Sequence, residues 1–254
     1  MGAEFEIVLP LRDRVSAVIL GRTAYGWVVA GDNQDSDYGG DNRTLEWSRS
    51  NNDAGDGHVF DLEGGIGLRF AMEDERWSLS PLVGYAYYEQ GLVMQDGYQS
   101  FSDQALVDSL FPGVILPQVG NISGLDSSYH AWWYGPWLGM QITYQQNEKL
   151  KWDCLLRWHE VDFEAEADWN LRDDLMHPLS FEQLADGDGI SLAVDVQYDF
   201  DKRYAVGADL AIYDLQAKNG IDVVYLNGGG VSGTRLNEVN WESWALSLSA
   251  KYRF

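Results

Sequence analysis

The chain has 254 residues, a formal net charge of −23 and a single cysteine, Cys154. The excess of acidic residues argues against nucleic acid as a partner, because the phosphate backbone is bound by Lys and Arg. One cysteine excludes an internal disulfide, and no apolar run approaches the ~18 residues of a membrane-spanning helix. A single all-β domain over residues 1–254 is compatible with this length.

Nine segments alternate apolar and polar residues, and a strand turns successive side chains to opposite faces. In the clearest of them, Ile190, Leu192 and Val194 share the apolar face, whereas Asp195 and Gln197 lie on the other. We therefore predict strands at residues 5–9, 15–29, 58–72, 77–87, 132–144, 152–159, 190–200, 204–212 and 241–254.

The connections alternate in length. Short turns near Arg12, Asp74, Asn147 and Asp201 separate long polar loops, predicted at residues 31–57, 91–128, 168–189 and 217–237. Short turns on one side and long loops on the other are typical of an antiparallel up-and-down transmembrane β-barrel. The alternative, a soluble barrel, would turn the aromatic faces inward, and 11 Trp and 14 Tyr exceed what one small core holds.

Single charged residues on the polar faces are predicted to line a narrow lumen. Interior charges must pair with one another or meet water. The residues concerned are Arg22, Arg69, Arg157, His159, Asp195, Asp209, Lys251 and Arg253.

The closing segment places Trp244, Leu246 and Leu248 on one face and ends on Phe254. This ending resembles the last strand of outer-membrane barrels, in which a terminal Phe is the assembly signal. Both the first and the last predicted strand run toward the short turns, whereas such barrels have an even number of strands. We expect a ten-stranded barrel, with a signal peptide and one further strand encoded before Gly2.

Several short motifs in order resemble the omptins, outer-membrane endopeptidases with a ten-stranded barrel. The resemblance covers residues 3 to 254 and includes the closing strand. Its motifs are Gly26-Trp27, Asp35-Ser36-Asp37-Tyr38, Trp47, His58-Val59-Phe60-Asp61-Leu62, Val83-Gly84-Tyr85 and Glu166-Ala167-Asp168-Trp169-Asn170. It implies residence in the bacterial outer membrane, contact with its lipid, and no cofactor.

The omptin site implies an Asp-Asp pair facing an Asp-His pair that activates a water molecule. Asp35 and Asp37 match the first pair, and Asp168 matches the Asp of the second. The position of the histidine is occupied by Asn170, and an amide cannot accept the proton of the water. His177, in the same loop, is the candidate substitute base. Alternatively, Asp35 and Asp37 are solvated acids, or hold Ca²⁺ in a Gly-rich loop.

Three functions remain open at this point. The first is a barrel without proteolytic activity, which binds a cationic partner or acts as a scaffold through its acidic extracellular mouth. The second is an active omptin-type endopeptidase that cleaves near basic residues. The third, a small diffusion pore, is disfavoured because the side chains of a ten-stranded barrel largely fill its lumen.

Overall fold

One antiparallel sheet contains every strand of the computed structural model, which describes residues 1–253. The predicted assembly signal at Phe254 lies outside the described residues. The elements are β1 (Gly2–Arg12), β2 (Val15–Trp27), β3 (Asp32–Gly40), β4 (Thr44–Ala71), β5 (Trp77–Ser102), α1 (Gln104–Leu110), β6 (Gly120–Ile122), β7 (Ser127–Gln145), β8 (Leu150–Asp168), β9 (Phe181–Asp199), β10 (Tyr204–Leu226) and β11 (Gly230–Tyr252).

Neighbours along the sheet follow the chain, in the order β1-β2-β4-β5-β7-β8-β9-β10-β11. The two remaining strands are additions on the long-loop side, where β3 pairs with β4 and β6 pairs with β5. The eight antiparallel strands predicted after residue 14 are confirmed. No helix among residues 1–253 is long and apolar enough to cross a membrane.

The outer face of the sheet is apolar over the height of a bilayer. Ile66, Val83 and Leu138 lie side by side on β4, β5 and β7, and each is at least half exposed. At the short-turn end Trp77 stacks on Tyr144 with ring centroids 4.3 Å apart. Aromatic residues at the edges of an apolar band are the pattern of a barrel that contacts lipid.

Charged residues of the inner face pair with one another across the lumen, as predicted. A charge that is shielded from water requires a partner of opposite sign. The pairs and their N–O distances are Arg22–Asp209 at 3.4 Å, Arg69–Glu6 at 2.6 Å, Arg157–Glu63 at 3.0 Å, Lys251–Asp195 at 2.9 Å and Arg253–Asp199 at 2.9 Å.

Glu63 is a buried carboxylate with three partners in the lumen. Its Oε2 lies 3.0 Å from the Arg157 guanidinium, and its Oε1 accepts hydrogen bonds from the hydroxyls of Tyr88 at 2.8 Å and Tyr213 at 2.9 Å. The side chains of Glu63 and Arg157 are 2% and 5% exposed. This buried cluster joins β4, β5, β8 and β10 across the interior.

Aromatic rings fill the lumen around this cluster. The Trp137 side chain is 1% exposed, and its ring lies against the backbone of Gly65 and Gly84. A Cβ at Gly84 would stand 2.3 Å from the Trp137 ring and 2.1 Å from the carbonyl oxygen of Gly64, so a larger residue would displace the ring. Tyr88 and Phe163 are equally buried. We did not predict these inward-facing aromatic residues.

The predicted bounds of the long loops are wrong in detail, because the strands continue into them. The 28 residues of β4 exceed the 9–11 residues that a strand needs to cross a bilayer. Most of 31–57 is the hairpin of β3 and β4, and 217–237 is the paired tip of β10 and β11. The region 91–128 contains the end of β5, α1 and β6. The mouth is therefore built of β-hairpins.

The two ends of the sheet approach each other. Lys251 Nζ on β11 lies 3.0 Å from Glu4 Oε1 on β1, so the sheet curls into a barrel. Both strands run toward the short turns, which is the parity problem that the sequence raised. The expected strand between them stays a prediction.

Replacement of Arg157 tests the buried cluster. Arg157→Met would leave the Glu63 carboxylate buried without its cation, and we expect a loss of about 3–5 kcal/mol in the free energy of unfolding. The measurement is urea-induced unfolding in detergent micelles, followed by tryptophan fluorescence. The control is Arg12→Met at the exposed end of β1, which should unfold like the wild type. Equal stability of the two variants would contradict this account.

Candidate functional site

Two carboxylates with raised pKa values lie on one face of β3 at the mouth. Asp35 and Asp37 are two residues apart and pair with Ser50 and Ser48 of β4, so both point the same way. Burial first and the Asp37 charge second raise the pKa of Asp35 to about 6, against the opposing charge of Arg172. Burial also raises the pKa of Asp37. The predicted Asp-Asp pair is thus assembled.

In the second predicted pair, the histidine beside Asp168 is His177, the candidate substitute base. Asp168 ends β8, and its Oδ1 lies 2.5 Å from His177 Nδ1. The side chains are 27% and 38% exposed, so the pair is open to solvent. A proton on Nδ1 shared with the carboxylate leaves the lone pair of Nε2 available as a base.

The loop between β8 and β9 is fixed at Ser180, which holds His177 in place. Ser180 is completely buried, and its hydroxyl donates to the Met176 carbonyl at 2.9 Å and accepts from the Trp169 N–H at 3.1 Å. Met176 N–H also donates to the Tyr225 carbonyl of β10 at 2.9 Å. These bonds bring the end of the loop back over the end of β8.

Arg172 connects the two halves of the mouth electrostatically. Its guanidinium binds Asp174 through two hydrogen bonds of 2.8 and 2.7 Å. The same charge, although it belongs to the loop after β8, opposes the rise that burial causes in the pKa of both Asp35 and Asp37. One cation therefore interacts with three carboxylates.

The Asn170 side chain stabilises the neighbouring loop through hydrogen bonds. Its Oδ1 accepts from the Asp126 N–H at 3.0 Å and from the Ser127 hydroxyl at 3.1 Å, and its Nδ2 donates to the Gly124 carbonyl at 2.7 Å. Two of these partners lie just before β7, and Ser127 is its first residue. The amide thus joins the loop after β8 to the start of β7.

The structure offers a further acidic group on the outer wall. Carboxylate oxygens of Glu164, Glu166 and Glu182 lie within 4.8 Å of one another on β8 and β9. Among residues 1–253, these three carboxylates have the spacing that would suit a metal ion.

The family of the chain follows from a comparison of its sequence with family models. Residues 14–254 match the model described as Protochlamydia outer membrane protein. The chain belongs to this Protochlamydia outer membrane protein family. Its residence in the outer membrane agrees with the apolar wall and aromatic residues described above. A search of curated protein sequences finds no significant match.

The fold of this family member is similar to that of the outer membrane protease OmpT from Escherichia coli. The crystal structure of that protease matches with a TM-score of 0.70 and 14% sequence identity. The match covers 95% of this chain and 79% of the protease. At this identity the likeness concerns the fold, and it confirms the predicted all-β antiparallel barrel.

The positions of the acidic residues of this family member could be predicted from its sequence, whereas the path of the loop between β8 and β9 could not. The two-residue spacing of Asp35 and Asp37 is visible in the sequence. The return of His177 to Asp168 depends on Ser180 and Leu175, which is 1% exposed and bridges to Leu226. The run Leu175-Met176, apolar within a polar loop, was the available signal of this attachment.

Replacement of Asn170 tests its structural role. Asn170→His cannot both donate to the Gly124 carbonyl and accept from the Asp126 and Ser127 donors, so residues 124–127 should open more readily. We expect faster hydrogen exchange at the Asp126 amide, in line with about 0.5–1.5 kcal/mol for an ordinary hydrogen bond. Asn121→His in β6 is the control. Unchanged exchange in Asn170→His would contradict the role.

Proposed function

We propose that the extracellular mouth binds a cationic segment of a peptide or protein. The observation that carries the proposal is the pair Asp35 and Asp37, two carboxylates held close together and partly withdrawn from water. Their nearby cation, Arg172, is already bound to Asp174 through two hydrogen bonds. A second cation entering the mouth would therefore meet charge that is not compensated.

The raised pKa of Asp35 indicates that a bound cation would stabilise the ionised form of this carboxylate. A pKa of about 6 means that the ionised carboxylate is disfavoured by burial and by Asp37. An arginine or lysine side chain of a ligand reverses this effect, because an opposite charge favours the ionised form. Guanidinium also suits two neighbouring carboxylates geometrically, since it offers five N–H donors in a planar fork.

Binding should depend on pH with a defined sign. Below pH 6 Asp35 takes up a proton, and a cationic ligand must displace it, so affinity rises with pH and levels off above pH 7. For one linked proton the dissociation constant should fall about tenfold between pH 5 and pH 7. Fluorescence anisotropy with a labelled Arg-Arg peptide, blocked at both ends and free of titrating side chains, measures this in detergent micelles.

Two variants separate the pair from the general charge of the protein. Asp35→Asn should weaken binding at pH 7.5 and flatten its dependence on pH. Asp13→Asn removes the same charge from a short turn on the other side of the barrel, and should bind like the wild type. Equal losses in both variants, or a pH profile that survives Asp35→Asn, would contradict the proposal.

A second candidate function is peptide hydrolysis, and the contact between Asp168 and His177 favours it. A carboxylate that orients an imidazole is the arrangement of a general base, which takes the proton of a water molecule as the water attacks the peptide carbonyl. Asp35 and Asp37 would then hold the basic side chain next to the cleaved bond. The omptin resemblance assigned the base to position 170, and His177 takes that role in this proposal.

Cleavage of a fluorogenic dibasic peptide tests this candidate. If His177 is the base, any wild-type cleavage should fall by about 10² to 10⁴ in His177→Ala. Peptide binding should remain, because the anchoring carboxylates are intact. Asn121→His controls for changes at the mouth. Cleavage that persists in His177→Ala would contradict the role of His177, and binding without any cleavage would leave the first function alone.

A further inference from the structure

Two histidines meet on the outer wall of the barrel. Three neighbouring strands, β4, β5 and β7, place His58, Gly91 and His130 in one row across the sheet. All three positions belong to the outward face. Since neighbouring strands lie about 4.8 Å apart, two strands separate the backbones of the histidines by roughly 10 Å.

Their imidazole rings lean toward each other over the glycine. The ring centroids are 6.0 Å apart, and the planes are inclined by 56°. A Cβ on Gly91 would stand 2.6 Å from His58 Cε1, 3.0 Å from His58 Nδ1 and 3.0 Å from His130 Cε1. His58 Nδ1 and the Cε1 atoms of both rings, each bonded to two ring nitrogens, thus border the space that the glycine leaves open.

A carboxylate fixes the orientation of one ring. Glu89 Oε1 lies 3.1 Å from His58 Nε2, and the Tyr87 hydroxyl donates to the other oxygen of Glu89 at 3.0 Å. A proton on Nε2 then leaves the lone pair on Nδ1, the atom next to Gly91. Histidines that bind metals commonly donate their second N–H to a carboxylate in this way. His130 stacks on Trp132, with ring centroids 6.2 Å apart.

We propose that His58 and His130 bind one divalent transition-metal ion above Gly91. His58 contributes Nδ1, His130 contributes one ring nitrogen, and water fills the remaining positions. Metal–nitrogen bonds of about 2.0–2.1 Å place the centres of two imidazoles on one ion roughly 5–6 Å apart, which agrees with the observed separation. Imidazole ligands select Zn²⁺, Cu²⁺ or Ni²⁺ over Ca²⁺ and Mg²⁺.

Isothermal titration of the refolded protein in detergent micelles with Zn²⁺ tests the proposal. The wild type should bind one ion at this site, and His58→Ala and His130→Ala should each remove that binding. Glu89→Ala should weaken it roughly 10–100-fold, because Glu89 orients His58 without touching the ion. Circular dichroism and tryptophan fluorescence establish that each variant is folded.

Two further variants keep the proposal falsifiable. Gly91→Ala retains both histidines but fills the space between them, and it should abolish binding. Gln90→Ala changes the adjacent residue, which points to the inner face, and should bind like the wild type. Zn²⁺ binding that survives His130→Ala, or that disappears only in His177→Ala, would place the ion elsewhere and overturn the proposal.

Discussion

The barrel depends on the pairing of Glu63 with Arg157 in its interior. Neither group reaches water, so the charges are tolerated only because each has the other, and because two tyrosine hydroxyls occupy the remaining oxygen of the carboxylate. The cluster ties together strands that are far apart in sequence. Ion pairs of Arg22, Arg69 and Lys251 repeat the same solution at other positions of the lumen. An interior built in this way is filled by the protein itself.

The strands could be predicted from the sequence because their alternation has a period of two, and lipid on one side and a polar lumen on the other enforce it. The charges of the lumen were predicted for the same reason. The inward aromatic residues were not, because Trp137 follows Pro136 in a stretch rich in large side chains, and alternation there has no contrast. Trp137 faces inward because Gly65 and Gly84 on neighbouring strands leave room for its ring. The pattern of one strand alone does not predict this contact.

At the mouth, too, some features could be predicted from the sequence and others could not. Asp35 and Asp37 could be found because their spacing on one strand fixes a common face. The contact of Asp168 with His177 was harder to predict, because His177 lies nine residues away in a loop. Its position follows from hydrogen bonds of Ser180 with backbone groups. Asn170 was assigned to the site by resemblance, yet the structure gives its amide to the adjacent loop. The motif therefore does not reveal the structural contacts of this side chain.

The long hairpins above the bilayer are the part of the protein that accepts substitutions most easily. In β4 alone more than a dozen residues lie beyond the roughly 9–11 that cross the membrane, and their backbone groups are satisfied by neighbouring strands. Outward side chains in this region contact mostly water, so substitutions there leave the ladder of hydrogen bonds intact. The hairpins can therefore change the chemistry of their outward side chains while the membrane-embedded wall stays the same.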